Sequence, residues 1–183
     1  SVTFVRDDNF WIVTDYHIPN KPEVDNLFTQ NWHIYPGAEF TYDENYTIRS
    51  NFDDVNIIIA PVENGEIDEI KRVPTLYSEA ANQFKDGEKA MIYKTKKGAG
   101  RFTTILVPEN VNEDISVQAS SFETGLDPDL VNVACFSITN NRNNTKNTYY
   151  FYHLNDEAQK KEAKFGQYAT DATTLLIKKD SNG

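Results

Sequence analysis

The sequence predicts an all-β protein, an antiparallel β-sandwich of about a dozen strands with no substantial helix. Three observations lead to this prediction. Aromatic residues make up 13% of the chain, mostly as 10 Tyr and 11 Phe, and such residues are enriched in strands. Alternating or continuous apolar stretches recur along the chain, with turn-forming residues separating them about every eight to twelve residues. Helical composition occurs only over 156–165, where the high charge indicates a solvated turn or loop.

The predicted strands follow one another from the start of the chain to its end. Asp7 and Asp8 form a turn between the first two strands, and Pro36 with Gly37 closes the third. In chain order the predicted strands are 2–6, 9–17, 25–35, 39–42, 46–50, 55–60, 67–77, 88–96, 101–107, 116–122, 130–139, 148–154 and 170–179.

Three segments carry more specific predictions. Residues 55–60 form a continuous apolar run bounded by Pro61, which is typical of a strand buried on both faces. Segment 78–86 is predicted to be a loop. Strands 88–96 and 101–107 flank a short turn with two glycines, so we predict that they pair as a hairpin.

A chain of 183 residues is long enough to form one domain with its own core. We therefore expect 1–183 to be a single β-sandwich domain. The chain begins without Met, and its first predicted strand starts at the second residue. For this reason we also expect it to be a piece of a longer protein.

The net charge of −10, from 18 basic and 28 acidic residues, argues against nucleic acid as a partner. It leaves open an anionic polysaccharide, because a local basic cleft can lie on an acidic protein. The chain has no apolar run of the roughly twenty residues that a membrane span needs. Its one cysteine, Cys135, lies in an apolar strand and is interpreted as a buried packing residue.

Asp15 and His33 are the candidate site residues, since each is a polar residue within an aromatic strand. An ionised carboxylate is costly to bury without a partner, so Asp15 faces solvent, pairs with a base or binds a metal. A lone strand histidine is more often hydrogen-bonded than a metal ligand. Zinc accepts both ligand types, but a structural zinc site needs four ligands, and Asp15, His33 and His17 supply at most three. The metal and non-metal interpretations both stay open.

Lys94, Lys96, Lys97 and Arg101 form a basic cluster at the tip of the predicted hairpin. Solvated surface charge is the default interpretation of such a cluster. His153 is interpreted as a surface residue at a strand end. The sequence contains no glycine-rich phosphate loop, nucleophile elbow or paired-cysteine metal motif.

Four phrases in order resemble the C-terminal β-domain of the heparinase II/III-like polysaccharide lyases, and the heparinase III-like branch is the most similar. They are VTFVRDDNFWIVTD at 2–15, FTQNWH at 28–33, RFTTILVP at 101–108 and ATDA at 169–172. Their order and spacing cover nearly the whole chain.

The resemblance implies a bacterial protein, periplasmic or secreted, with an N-terminal α/α toroid preceding the β-sandwich. Its substrate would be an acidic, uronate-containing glycan such as heparan sulfate, cleaved by β-elimination. That reaction needs a base for the proton α to the carboxylate and a group that neutralises the carboxylate. The family places these groups on the toroid, so we expect no catalytic residue and no lyase activity in this chain alone.

The resemblance also implies a divalent metal, zinc or calcium, in the longer protein. Its ligands would be Asp15, His33 and a histidine upstream of Ser1, so the site would be incomplete in this chain. The alternative hypothesis is a non-catalytic carbohydrate-binding or structural β-sandwich module, because a fold does not fix a function.

Overall fold

The computed structural model describes residues 1–36, 39–81, 83–155, 162–165 and 167–179. Within these ranges the chain forms β-strands and three short 3-10 turns but no α-helix, which confirms the all-β prediction. The strands are β1 Val2–Val5, β2 Phe10–His17, β3 Asn26–Ile34, β4 Glu39–Tyr42, β5 Ile48–Asn51, β6 Val55–Pro61, β7 Glu69–Ala80, β8 Gln83–Lys96, β9 Gly100–Asn110, β10 Ile115–Ser120, β11 Val131–Asn140, β12 Thr145–Leu154, β13 Ala163–Phe165, β14 Tyr168–Thr170 and β15 Thr174–Lys179.

These strands form four antiparallel sheets. The six-stranded sheet has the order β1-β2-β9-β6-β5-β4, and the four-stranded sheet has the order β10-β11-β12-β15. The three-stranded sheet is β3-β8-β7, and β13 pairs with β14 as a small ribbon. The multiple antiparallel sheets agree with the predicted β-sandwich.

The six-stranded sheet lies between the other two large sheets, because successive residues of a strand point to opposite faces. On one face Ile58 and Ile105 pack with Phe136 and Phe151 of the four-stranded sheet. On the other face Ile59 and Phe102 belong to a second cluster, which includes residues of the three-stranded sheet. The result is a sandwich of three layers with two apolar cores.

The outer face of the four-stranded sheet carries a third, smaller apolar cluster. Val131 and Val133 of β11 pack there with Tyr152 and Leu154 of β12 and with Ala163 of β13. The segment between β10 and β11, which forms a 3-10 turn at Pro128–Leu130, contributes partly buried residues to the same cluster.

The run at 55–60 was predicted to be buried on both faces, and β6 has this property. It pairs with β5 on one side and with β9 on the other, inside the six-stranded sheet. Ile58 and Ile59 are both buried although they point to opposite faces. A strand of the middle layer has no solvent face over its central residues, so its sequence does not alternate.

Two predictions about residues 78–107 are wrong. Segment 78–86, predicted to be a loop, contributes to β7 and β8, which form a long hairpin. The predicted hairpin of 88–96 with 101–107 does not form either. Both edges of β8 are occupied, by β3 and β7, so β9 passes to the six-stranded sheet and pairs with β2 and β6.

The segment 156–165 was predicted to be a solvated turn or loop. Residues 156–161 lie outside the described residues, while Ala163–Phe165 is strand β13. Among the residues that the structure describes, no helix is long and apolar enough to cross a membrane.

Candidate functional site

Asp15 lies at the interface between the six-stranded and three-stranded sheets. It belongs to β2 and pairs in register with Phe102 of β9. Its Oδ2 accepts a hydrogen bond from Gln30 Nε2 of β3 at 2.8 Å. The carboxylate is therefore held by a neutral amide from the neighbouring layer, a partner that the sequence analysis did not consider.

Gln30 connects Asp15 to two further groups. Its Oε1 accepts hydrogen bonds from Trp32 Nε1 at 3.0 Å and from Thr104 Oγ1 of β9 at 2.9 Å. Gln30 and Thr104 are buried, so the network compensates polar groups that water does not reach. We call Asp15, Gln30, Trp32 and Thr104 the Gln30 network.

His33 is not part of this network. Because side chains alternate along a strand, His33 points to the face of β3 opposite Gln30, and it is exposed. Asp15 lies on the inner side of the three-stranded sheet and His33 on its outer side. As placed, the two residues do not fit one metal ion.

No group of three or more His, Cys, Asp or Glu side chains that could hold a metal occurs within the described ranges. His17 is exposed, and its ring lies 6.3 Å from that of Phe28. His153 Nδ1 is hydrogen-bonded to Thr174 Oγ1 at 2.8 Å. Metal binding by Asp15 and His33 in a longer protein stays a prediction.

The basic cluster predicted to be solvated is in part buried, and this interpretation is wrong for two residues. Lys94 is 1% exposed and Arg101 is 7% exposed. Lys94 Nζ donates to the Arg101 backbone oxygen at 2.8 Å and lies 3.0 Å from Glu66 Oε2. The sequence does contain a signal for the burial of Lys94. Side chains alternate along a strand, and Lys94 shares a strand face with Ala90 and Ile92, which are buried.

Glu63 completes this buried ionic cluster, and no pattern in the sequence indicates it. Its carboxylate accepts hydrogen bonds from Thr103 N and Thr103 Oγ1, both at 2.9 Å. Arg101 Nε lies 3.7 Å from Glu63 Oε1, and Arg101 Nη2 lies 4.0 Å from Glu66 Oε1. Asn132 Nδ2 of β11 donates to Thr103 Oγ1 at 2.9 Å. The cluster thus joins residues from all three large sheets.

The two carboxyl groups of the cluster have pKa values shifted in opposite directions. Burial raises the pKa of Glu63, although Lys94, the Thr103 hydrogen bonds and Arg101 act to lower it. Burial also acts to raise the pKa of Glu66, but Lys94, Lys96 and Arg101 together outweigh it and the net pKa is lowered. The difference follows from exposure, since Glu63 is fully enclosed while Glu66 keeps contact with solvent.

A cavity of about 460 Å³ adjoins this cluster at the outer face of the four-stranded sheet. Arg101 forms part of its wall, together with Phe122, Leu126, Val131 and Val133. The cavity therefore combines an apolar lining with one buried cation.

Comparisons with protein-family models, with curated proteins and with solved structures found no match to this chain.

Proposed function

We propose that this chain is the C-terminal β-sandwich domain of a polysaccharide lyase, and that the longer protein cleaves an acidic, uronate-containing glycan of the heparan sulfate type by β-elimination. The chain by itself performs no catalysis. Its role is structural, as the β-domain beside an α/α toroid that carries the reacting groups.

The observation that carries this proposal is the way the resembling phrases meet in space. Asp15 ends the first phrase, Gln30 and Trp32 belong to the second, and Thr104 belongs to the third. These four side chains form the Gln30 network. Three stretches far apart in sequence are therefore joined by one set of hydrogen bonds, which supports reading the phrases as parts of one structural unit.

Two carboxylates, one in the Gln30 network and one in the ionic cluster, support the proposal that the chain alone is not catalytic. β-Elimination needs a base that reaches the substrate proton. Asp15 accepts from Gln30 between two layers, and Glu63 is enclosed and accepts from Thr103. Both carboxylates are engaged in contacts between parts of the fold, which makes them poor bases for a bulky polysaccharide.

The test compares the purified 183-residue chain with the full product of its gene, on a panel of heparan sulfate, unsulfated heparosan and chondroitin. Ultraviolet absorbance of the unsaturated uronate product reports elimination. We expect activity from the full gene product and none from the chain. Elimination by the chain alone, or its absence from the full gene product on every glycan, would contradict the proposal.

A second candidate function is a non-catalytic carbohydrate-binding module. The cavity beside Arg101 favours it, because an apolar wall with one well-placed charged group is typical of small-molecule sites. A full gene product that binds uronate glycans without cleaving them would select this alternative.

A further inference from the structure

The cavity beside Arg101 has a chemical character that the structural role of the domain does not require. Its wall combines apolar side chains, among them Phe122, Leu126 and Val133, with polar and charged ones. Its volume of about 460 Å³ falls within the range of small-ligand sites. Arg101 is ion-paired with Glu63 and Glu66, but these contacts of 3.7 and 4.0 Å are longer than hydrogen bonds, so its unused N–H donors indicate what the cavity binds.

Arg101 has hydrogen-bond donors to spare. Its Nη1 donates to Val131 O at 3.3 Å, and no other side-chain N–H of Arg101 has an acceptor at hydrogen-bond distance among the described residues. Nε is buried and unpartnered, with its nearest carboxylate oxygen, Glu63 Oε1, 3.7 Å away. Buried donors without acceptors are rare in folded proteins, and a guanidinium presents its donors in a fork that matches a carboxylate.

The cavity wall also carries a carboxylate. Glu123 lines the same cavity and is exposed. A carboxylate in this position would repel a purely anionic ligand but accepts hydrogen bonds from hydroxyl groups. A ligand with a carboxylate at one end and hydroxyls at the other satisfies both Arg101 and Glu123.

An aromatic row continues from the cavity along the outer face of the four-stranded sheet. The Phe122 ring, in the cavity wall, lies 6.4 Å from that of Tyr150, which lies 5.8 Å from that of Tyr168. Lys179 Nζ lies 5.6 and 5.5 Å from the centres of these two tyrosine rings. Rings beside a cation suit the neighbouring units of an acidic polysaccharide.

We propose that this cavity binds one uronate residue of an acidic glycan, with the uronate carboxylate on Arg101, its hydroxyls toward Glu123 and its ring against Phe122. The choice of a sugar rests on the proposed function, whereas the choice of a carboxylate rests on Arg101. The site lies on the outer face of the four-stranded sheet, away from the Gln30 network.

The experiment is a titration of the ¹⁵N-labelled 183-residue chain, followed by amide chemical shifts. The probes are glucuronate, glucose and cyclohexanecarboxylate. We expect glucuronate to shift the amides of Thr124, Gly125 and Val133 in a saturable way. Glucose should bind at least about tenfold more weakly, because it lacks the group that pairs with Arg101.

Two variants locate the site. Arg101→Lys keeps the charge but loses the fork, and we expect about a tenfold weaker glucuronate affinity. Arg49→Lys is the matched control, since Arg49 is a half-buried arginine paired with Glu109 away from the cavity, and it should leave the affinity unchanged. Ser121→Trp places bulk at an exposed position of the cavity wall and should abolish binding even if Arg101→Lys unfolds.

Three results would overturn the proposal. The first is equal binding of glucose and glucuronate, and the second is unchanged glucuronate shifts in Ser121→Trp. The third is binding of cyclohexanecarboxylate but not of glucuronate, which would show that the ligand is not a sugar. None of these results bears on eliminative cleavage by the full gene product. Failure of the site and failure of the proposed function are therefore distinguishable.

Discussion

Gln30 lies on the inner face of β3 between Phe28 and Trp32, where an unpaired amide would cost free energy. The structure compensates it with Asp15, Trp32 and Thr104. The hydrogen bonds of this buried network form only when the two sheets lie in one relative position. The network therefore specifies how the three-stranded sheet packs on the six-stranded sheet. Asp15 thus has a structural explanation that needs no metal.

Replacing Gln30 by Ala should destabilise the protein by about 2 to 4 kcal/mol, because it opens a small void and leaves the Thr104 hydroxyl without its acceptor. Asn31→Ala is the matched control, since Asn31 is exposed on the other face of β3, and should change stability by less than about 0.5 kcal/mol. Urea unfolding measures both. Equal effects of the two substitutions would argue against a structural role for the Gln30 network.

The raised pKa of Glu63 gives a pH-dependent prediction. A carboxyl group whose pKa is raised on folding contributes stability that is fully present below its ordinary pKa of 4.5. This contribution is lost as the pH rises through the folded-state pKa. In Glu63→Gln this titration is absent, so the stability of the variant relative to the wild-type protein should improve as the pH rises above the ordinary pKa of 4.5. Urea unfolding at a series of pH values checks this, and parallel pH profiles would contradict it.

Gly100 allows β9 to approach the three-stranded sheet. A Cβ added at this position would lie 2.4 Å from Cδ1 of the Phe28 ring, so a larger residue must displace a core aromatic. We expect Gly100→Ala to cost about 1 to 3 kcal/mol. Gly65→Ala is the control, because nothing lies within 4 Å of the added Cβ. Thermal or urea unfolding that ranks the two glycines equally would contradict this account.

At the scale of elements, β8 is the strand that the sequence described least well. Residues 88–93 pair with both β3 and β7 and residues 94–96 with β3 alone, while the first residues of β8 pair with β7 alone. This outer part of the hairpin exposes Leu76 and Phe84, at 64% and 65%. Its sequence lacks a clear apolar face because, among the described residues, no third strand pairs with it.

The two halves of β8 should differ in amide hydrogen exchange. Amides of Phe84–Gly87 lie in a two-stranded ribbon with little buried apolar surface, so we expect them to exchange through local opening. Amides of Ala90, Ile92 and Lys94, in the covered half, should exchange much more slowly. Exchange followed by NMR tests this, and uniform protection along β8 would contradict it.

At the scale of the whole molecule, the buried ionic cluster connects all three layers. Lys94 comes from the three-stranded sheet, Arg101 and Thr103 from the six-stranded sheet, and Asn132 from the four-stranded sheet. Breaking a buried charge pair by removing one partner is costly. The layers are therefore coupled through polar groups as well as through their apolar cores.

This coupling predicts a single unfolding transition. Trp11 and Trp32 report on the six-stranded and three-stranded sheets, whereas far-ultraviolet circular dichroism reports on all strands. Equilibrium unfolding in urea should give coincident curves with both probes. A circular dichroism curve that extends beyond the fluorescence transition would show that the four-stranded sheet unfolds separately.

The sequence by itself determined the fold class and most of the strands. Aromatic and β-branched stretches between turn residues identify strands by local chemistry alone, and the uninterrupted apolar run of β6 even indicated a strand covered on both faces. Local patterns carry this information because side-chain alternation and turn geometry involve only neighbouring residues.

Only the tertiary structure decided which strands pair and which polar residues meet. The partner of β9 depends on the occupied edges of β8, and the partner of Asp15 is an amide fifteen residues away in another sheet. Alternation places Lys94 on a strand face with buried residues, but it does not identify its partners. Lys94 and Arg101 are buried together with Glu63 and Glu66, which come from a different segment. Whether a polar side chain is compensated depends on groups brought together across layers, and a local pattern does not contain that information.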